Sequence, residues 1–224
     1  MSHIVLIRHG KTEINAWNDK HPHAKRIGGQ LESPLISEGK AGATNAGRLV
    51  AAMRLNIQLA VSADHERTIV TRDVSLAELP EPKPKACALP GLREISYGEF
   101  AGKEEAEIRA RYPEFFEDPR LKKWRGDFDQ KAPGGENYTD IEARLESEVF
   151  PVLAEEPGNI LVVSSLHTLR VFLYKTLGLT REQAVRLKIP NTLPILIRRG
   201  NSCVLVGDVP LEKLLIHNTE AEAV

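Results

Sequence analysis

The chain has 224 residues, 42% hydrophobic and 27% charged, and its 30 basic residues against 31 acidic ones give a formal net charge of −1. This is the composition of a globular protein long enough to bury a substantial core, and it argues against a disordered chain. A near-neutral total also argues against a broad nucleic-acid footprint and leaves room only for a local anion pocket. Cys87 and Cys203 lie far apart without ligand-like spacing, so two reduced, buried thiols are expected rather than a disulfide framework or a structural metal. No apolar run reaches membrane-spanning length, and His3 begins an apolar strand with no basic and apolar leader pattern before it. The expectations are therefore a cytoplasmic protein, one domain over 1–216 with a flexible tail over 217–224, and neither membrane nor nucleic acid as partner.

His3 to Ile7 is β-branched and apolar, a strand for a sheet interior, and Arg8-His9-Gly10 follows at its carboxyl end, where open α/β sheets keep their sites. Taken alone, these three residues fit a nucleophile-bearing turn and a surface turn equally well. Glu13 to Pro34 lacks apolar periodicity and is expected to be a long loop; its His21-Pro22-His23, Lys25 and Arg26 suit a solvated surface better than a metal or phosphate contact. Ser37 opens a small-residue helix to about Met53, with Ala43, Ala46, Leu49, Val50 and Met53 on one face. A second short strand at Leu59 to Ser62 leads into a helix over Asp64 to Ala77, with Arg67, Val70, Thr71 and Val74 at helical spacing.

Pro80 to Pro84 is a rigid extended connector, and Glu94 then lies between apolar neighbours, where a general acid or a salt-bridged carboxylate could sit. Lys103 to Tyr112 is expected to be helical, and Pro113 to Pro133 an irregular, charged excursion. Thr139-Asp140-Ile141-Glu142 has the pattern of a capping box before a stripe of Ile141, Leu145, Val149, Val152 and Leu153. Asn159 to Ser165 is apolar enough for a strand buried on both faces, followed by a helix over Thr168 to Leu177 that stops at Gly178. Thr180 to Gln183 is another capping box. Leu193 to Arg198 and Cys203 to Gly207 flank Arg199-Gly200-Asn201-Ser202 as a hairpin. Strands alternating with helices predict a three-layer α/β sandwich with a mostly parallel central sheet.

Three strand exits, after Ile7, Ser62 and Val163, thus deliver polar groups to one sheet edge. Arg8-His9-Gly10-Lys11-Thr12 with Asn15, Ser62-Ala63-Asp64 with Arg67 and Thr71, and Leu92-Arg93-Glu94-Ile95 with Gly98 and Gly102 come in this order. Pro133-Gly134-Gly135-Glu136 with Arg144 and Val162-Val163-Ser164 with Arg170 complete the series. The pattern resembles the histidine phosphatase superfamily, the phosphoglycerate-mutase-like proteins, over nearly the whole chain. The resemblance implies that fold, a nucleophilic His9, a general acid at Glu94, and phosphate binding by Arg8, Asn15 and Arg67, with no metal and no cofactor. Arginine forks suit the spread charge of a phosphoryl group and keep a neighbouring imidazole neutral, ready to attack phosphorus.

One position departs from the family pattern. Where it has a second histidine after the Val-Val-Ser strand, this chain has Ser165, in Ser164-Ser165-Leu166-His167-Thr168. A hydroxyl donates a hydrogen bond but supplies no charge, so weaker transition-state stabilisation is implied. Ser165 and His167 are both kept as phosphate-binding candidates, with His167 either a displaced replacement or a capping residue. The loop between Asn15 and Arg26 is longer than the family pattern, and with Pro113 to Gln130 it is expected to set specificity.

The activity implied is a phosphoric monoester hydrolase acting on a small phosphorylated metabolite. The alternatives are a phosphoglycerate-type mutase, suggested by Lys188-Ile189-Pro190-Asn191-Thr192-Leu193-Pro194, and a low-activity or non-catalytic phospholigand binder, suggested by Ser165. A homodimer is the one protein partnership left open.

Overall fold

The computed structural model describes residues 2–198 in full and the strands at 204–206 and 209–210 as backbone. The helix spans are α1 (Glu13–Lys20), α2 (Ser37–Ala52), α3 (Glu66–Ala77), α4 (Glu105–Arg111), α5 (Glu114–Glu117), α6 (Tyr138–Arg144), α7 (Phe150–Glu155), α8 (Leu166–Leu177) and α9 (Arg181–Arg186). The strands are β1 (His3–Arg8), β2 (Ile57–Ser62), β3 (Lys85–Ala88), β4 (Asn159–Ser164), β5 (Ile195–Arg198), β6 (Val204–Val206) and β7 (Val209–Pro210), in the sheet order β3-β2-β4-β1-β5-β6-β7. β3, β2, β4 and β1 run parallel, and β5, β6 and β7 extend the sheet antiparallel.

Alternation along the central strands sorts the core into two faces. Val5 and Ile7 of β1, Ala60 of β2, and Leu161 and Val163 of β4 pack with Ala46, Val50 and Leu76 of α2 and α3. Ile4 and Leu6, Val61, and Ile160 and Val162 point the other way, into a larger cluster with Ile141, Leu145, Leu169 and Phe172. The three-layer α/β fold expected from the alternation is therefore present, with register pinned by the neighbours Ile7 and Val163 and Arg8 and Ser164. This register sets the carboxyl ends of β1 and β4 side by side.

Several local expectations need correction. Residues 13–20 are helical, not loop: α1 buries no residue, so it carries no apolar period, and it is held instead by a reciprocal cap between Thr12 and Asn15. The face of α3 that is buried is polar, with Arg67, Thr68, Thr71, Arg72 and Ser75 inside, whereas Val70 and Val74 are half-buried. Short β3 leaves no mark in the sequence pattern: an edge strand with mostly exposed side chains, it has no apolar alternation. The excursion after Pro113 contains the short α5 and buries Phe115, Trp124 and Phe128.

The cap of α6 is Asn137, not Thr139. Asn137 Oδ1 accepts from the Asp140 N–H at 2.9 Å and Asp140 Oδ2 accepts from the Asn137 N–H at 3.0 Å, while Thr139 donates to the Phe128 carbonyl. Between α6 and α7 the helix widens to a π turn over Leu145–Val149, just before Pro151, whose missing N–H removes a rung of the ladder. Cys87 is half-buried rather than buried. Cys203, the hairpin connection at 199–202 and the tail at 217–224 lie outside the described residues.

Candidate active site

The turn after β1 is held from three sides. The His9 N–H donates to the Ser164 carbonyl of β4 at 2.9 Å, the Gly10 N–H donates to Thr71 Oγ1 at 2.9 Å, and Asn191 Nδ2 donates to the His9 carbonyl at 2.6 Å. A bridge between Arg8 and Asn191, with the Thr192 N–H donating to the Arg8 carbonyl at 2.9 Å, carries the same clamp one residue back. The backbone of the candidate nucleophile is thus fixed by β4, α3 and the 189–192 segment together.

His9 is buried, and its Nδ1 lies 2.8 Å from the Gly10 carbonyl. A carbonyl can only accept, so Nδ1 carries the hydrogen and Nε2 keeps the free lone pair. Burial, with the cationic Arg67 and Arg8 adding to it, pushes the His9 imidazole down to about 3, so the ring is neutral at pH 7. Arg67 is itself buried and aimed by two carbonyls: Nη1 donates to Leu31 at 2.6 Å and Nη2 to Gly29 at 2.8 Å. Gly29 has φ +59°, and a Cβ there would stand 2.8 Å from the Ile95 carbonyl, so only glycine lets this carbonyl reach the guanidinium. Arg8 donates from Nη1 to the Ile189 carbonyl at 2.9 Å, and its buried Nε has no partner among the described residues. Burial lowers both guanidinium values from the ordinary arginine value.

Glu94 is buried, and its Oε1 accepts from the backbone N–H groups of Ile95 at 2.9 Å and His167 at 3.1 Å. Its loop is braced from behind: Gln30 Nε2 donates to the Glu94 carbonyl at 3.0 Å, the Ser96 N–H donates to Glu136 at 2.8 Å, and Arg144 pairs with Glu136 at 3.1 Å. The Gly-Gly-Glu segment and Arg144 therefore support the site from outside it.

Arg8, His9, Asn15, Arg67, Glu94 and His167 line one cavity of about 220 Å³. Ser165 is not in that wall. It is the N-cap of α8, completely buried, and its hydroxyl has no partner, while Leu166 and His167 form the wall at this point. Asn15 spends Oδ1 on the Thr12 N–H at 3.1 Å.

His167 is tied at both ring nitrogens, with Nε2 3.0 Å from the Tyr97 hydroxyl and Nδ1 2.9 Å from the Tyr138 hydroxyl. A Cβ on Gly126 would lie 2.6 Å from His167 Nδ1, so that position must be bare for the imidazole to fit.

The rim holds residues that the sequence pattern alone did not single out. Tyr97 and Arg125 line the cavity. Arg26 lies 4.0 Å over Trp17, which also stacks on His21 at 3.9 Å and donates from its indole N–H to the Ala24 carbonyl at 3.2 Å. The adjacent Glu104 and Glu105 pair with Arg26 at 3.6 Å and with Arg125 at 2.6 Å, joining the two loops expected to shape the mouth. Among the described residues no group of three or more His, Cys, Asp or Glu is placed to hold a metal ion; His21 stacks on Trp17 and His23 is exposed.

No helix among the described residues is long and apolar enough to cross a membrane. The 2,3-bisphosphoglycerate-dependent phosphoglycerate mutase of Brucella melitensis biotype 2 (strain ATCC 23457) is 30% identical over 200 residues, 87% of this chain and 91% of that protein. Among solved structures, the α-ribazole phosphatase of Shigella flexneri superposes with a TM-score of 0.75 at 19% identity, over 96% of this chain and 100% of that one. A mycobacterial glucosyl-3-phosphoglycerate phosphatase superposes at 0.68 and 24% identity, over 88% and 90% of the two chains, and at such identities both show the fold alone. The family model of the histidine phosphatase superfamily (branch 1) matches residues 4–206, and with the cavity built around His9 this places the chain in that superfamily.

Proposed function

We propose that the protein is a phosphomonoesterase that acts on a small phosphorylated metabolite through a phosphohistidine at His9. The observation that carries this reading is the neutral His9, held by Gly10 with Nε2 free, beside the guanidiniums of Arg8 and Arg67. Nε2 attacks phosphorus while the ester P–O bond breaks, and protonated Glu94 gives its proton to the departing oxygen, releasing the alcohol. Glu94 then takes a proton from water, whose oxygen attacks phosphorus as the P–N bond breaks, freeing inorganic phosphate and restoring His9. Arg8 and Arg67 stabilise the charge on the transferring oxygens throughout. The unpartnered Arg8 Nε is a donor available for one of them. The cavity volume suits a small metabolite.

Hydrolysis of p-nitrophenyl phosphate by the parent and by His9→Ala tests the reading. Loss of turnover in the variant, with an acid-labile phosphoenzyme trapped only in the parent, is expected; equal rates would sink it. The 30% identity to a phosphoglycerate mutase favours mutase chemistry as the second reading. It predicts transfer between the two hydroxyls of phosphoglycerate without net phosphate release.

A further inference from the structure

The donors and acceptors around His167 fit together in one arrangement. The Tyr97 hydroxyl donates to the Arg125 carbonyl at 2.9 Å, which uses its only hydrogen. Its contact with His167 Nε2 therefore requires Nε2 to donate. In a neutral ring Nδ1 is then an acceptor and takes the hydrogen of Tyr138, whose oxygen in turn accepts from Arg170 Nη1 at 3.3 Å. The result is a one-way chain from Arg170 through Tyr138, His167 and Tyr97 to the Arg125 carbonyl, in which the hydroxyl and imidazole donors are all used.

A second proton on Nδ1 would face a hydroxyl already turned toward it and would sit among Arg170, Arg8 and Arg125, across from Glu94 and from Glu105, which pairs with Arg125. Burial, with these cations adding to it, holds the imidazole well below the ordinary histidine range. Tyr97 and Tyr138 are pushed the other way by burial, Tyr97 also by Glu94, so both stay protonated. With both ring nitrogens engaged, His167 is not free to turn toward a phosphoryl group as a second cationic histidine would.

We propose that His167 is a positioning residue: its neutral Nε2–H imidazole, pinned between the Tyr97 and Tyr138 hydroxyls, holds the first turn of α8 in place, so that the His167 backbone N–H fixes the Glu94 carboxyl for protonation of the leaving group. Several observations support this independently of any pKa. Glu94 Oε1 receives the His167 N–H at 3.1 Å, Gly126 is bare where the ring lies, and Tyr97 and His167 both line the cavity. The assignment rests on the phosphohistidine reading for its catalytic half, while the tautomer stands on hydrogen bonding alone.

The test compares two esters that differ in their need for the acid. p-Nitrophenol departs without much help, whereas an alkyl alcohol must be protonated as it leaves. In His167→Ala, turnover of glycerol phosphate should fall roughly 30-fold, with less than about a threefold loss on p-nitrophenyl phosphate. Tyr138→Phe, which keeps the ring and removes only the hydroxyl, should show the same split at a smaller size.

Equal losses on the two esters would mean either a merely structural residue or direct contact with the phosphoryl group, and would overturn the assignment; so would no loss on either. Nitrogen-15 spectra of the imidazole test the tautomer separately: a neutral Nε2–H form at pH 5.5 supports it, and an Nδ1–H or protonated ring overturns it. Parent turnover indifferent to His9→Ala would overturn the phosphohistidine reading and the catalytic half with it, leaving the spectra to decide the tautomer.

Discussion

Asn191 holds the carbonyl of His9, with Nδ2 donating across 2.6 Å, so the candidate nucleophile is fixed by a residue 182 positions away in sequence. Asn191→Ala leaves this carbonyl without its side-chain partner inside a buried turn. A loss of about 1–3 kcal/mol in urea unfolding is expected. Turnover of p-nitrophenyl phosphate should fall roughly tenfold as the imidazole loses its fixed orientation. Unchanged stability and rate would remove the clamp from the account of the site.

The buried His9 makes stability depend on pH in one direction. Its folded value of about 3 lies below the unfolded value of about 6.5, so between those limits the unfolded chain binds the extra proton and stability rises with pH. His9 alone should therefore withdraw about 2 kcal/mol of folding stability between pH 7 and pH 5. His65 and His167, also held low by burial first, act in the same sense. Urea titrations of the parent and His9→Asn at the two pH values measure the difference. A variant as acid-sensitive as the parent would contradict the assignment.

Arg67 grips two carbonyls and still borders the cavity, which only a planar fork allows. Arg67→Lys keeps the charge and loses that geometry. A fall in kcat of roughly 10²-fold on p-nitrophenyl phosphate is expected, with weaker inhibition by orthovanadate. A lysine variant within twofold of the parent would show that charge alone suffices.

Ser165 spends nothing on the cap of α8, and its hydroxyl is buried without a partner. Ser165→Ala is expected to raise stability by about 1 kcal/mol, because an unsatisfied hydroxyl no longer has to be desolvated. Phosphate ester turnover should stay within twofold. A tenfold loss would instead make the hydroxyl a ligand of the phosphoryl group, the role assigned to it on the family pattern.

The parts of the site that were legible in the sequence are those whose chemistry sits at strand ends. β1, β2 and β4 are apolar enough to be recognised, and the groups that follow them, His9, Arg67 and the Ser165 to His167 step, share the sheet edge set by the parallel register. Glu94 was legible through its apolar neighbours. What was not legible depends on partners distant in sequence. α1 has a cap but no buried face, and the widened turn before α7 follows from Pro151 within an unbroken apolar stripe. The role of His167 could not be seen from Leu166-His167-Thr168, because it is decided by Tyr97, Tyr138 and Arg125, each from a different segment.

The bare Cα of Gly126 against the His167 ring makes these two positions an epistatic pair. Gly126→Ala in the present background drives a methyl group against the imidazole at 2.6 Å and the Tyr138 hydroxyl at 2.9 Å, and a small residue at 167 relieves the closer of the two contacts. A double-mutant cycle on 126 and 167 should therefore depart from additivity, with the second change costing less than it does by itself. The backbone of the Arg125-Gly126 turn and the side chain at 167 thus form one packing unit behind the cavity wall, and a change in either is felt by the other.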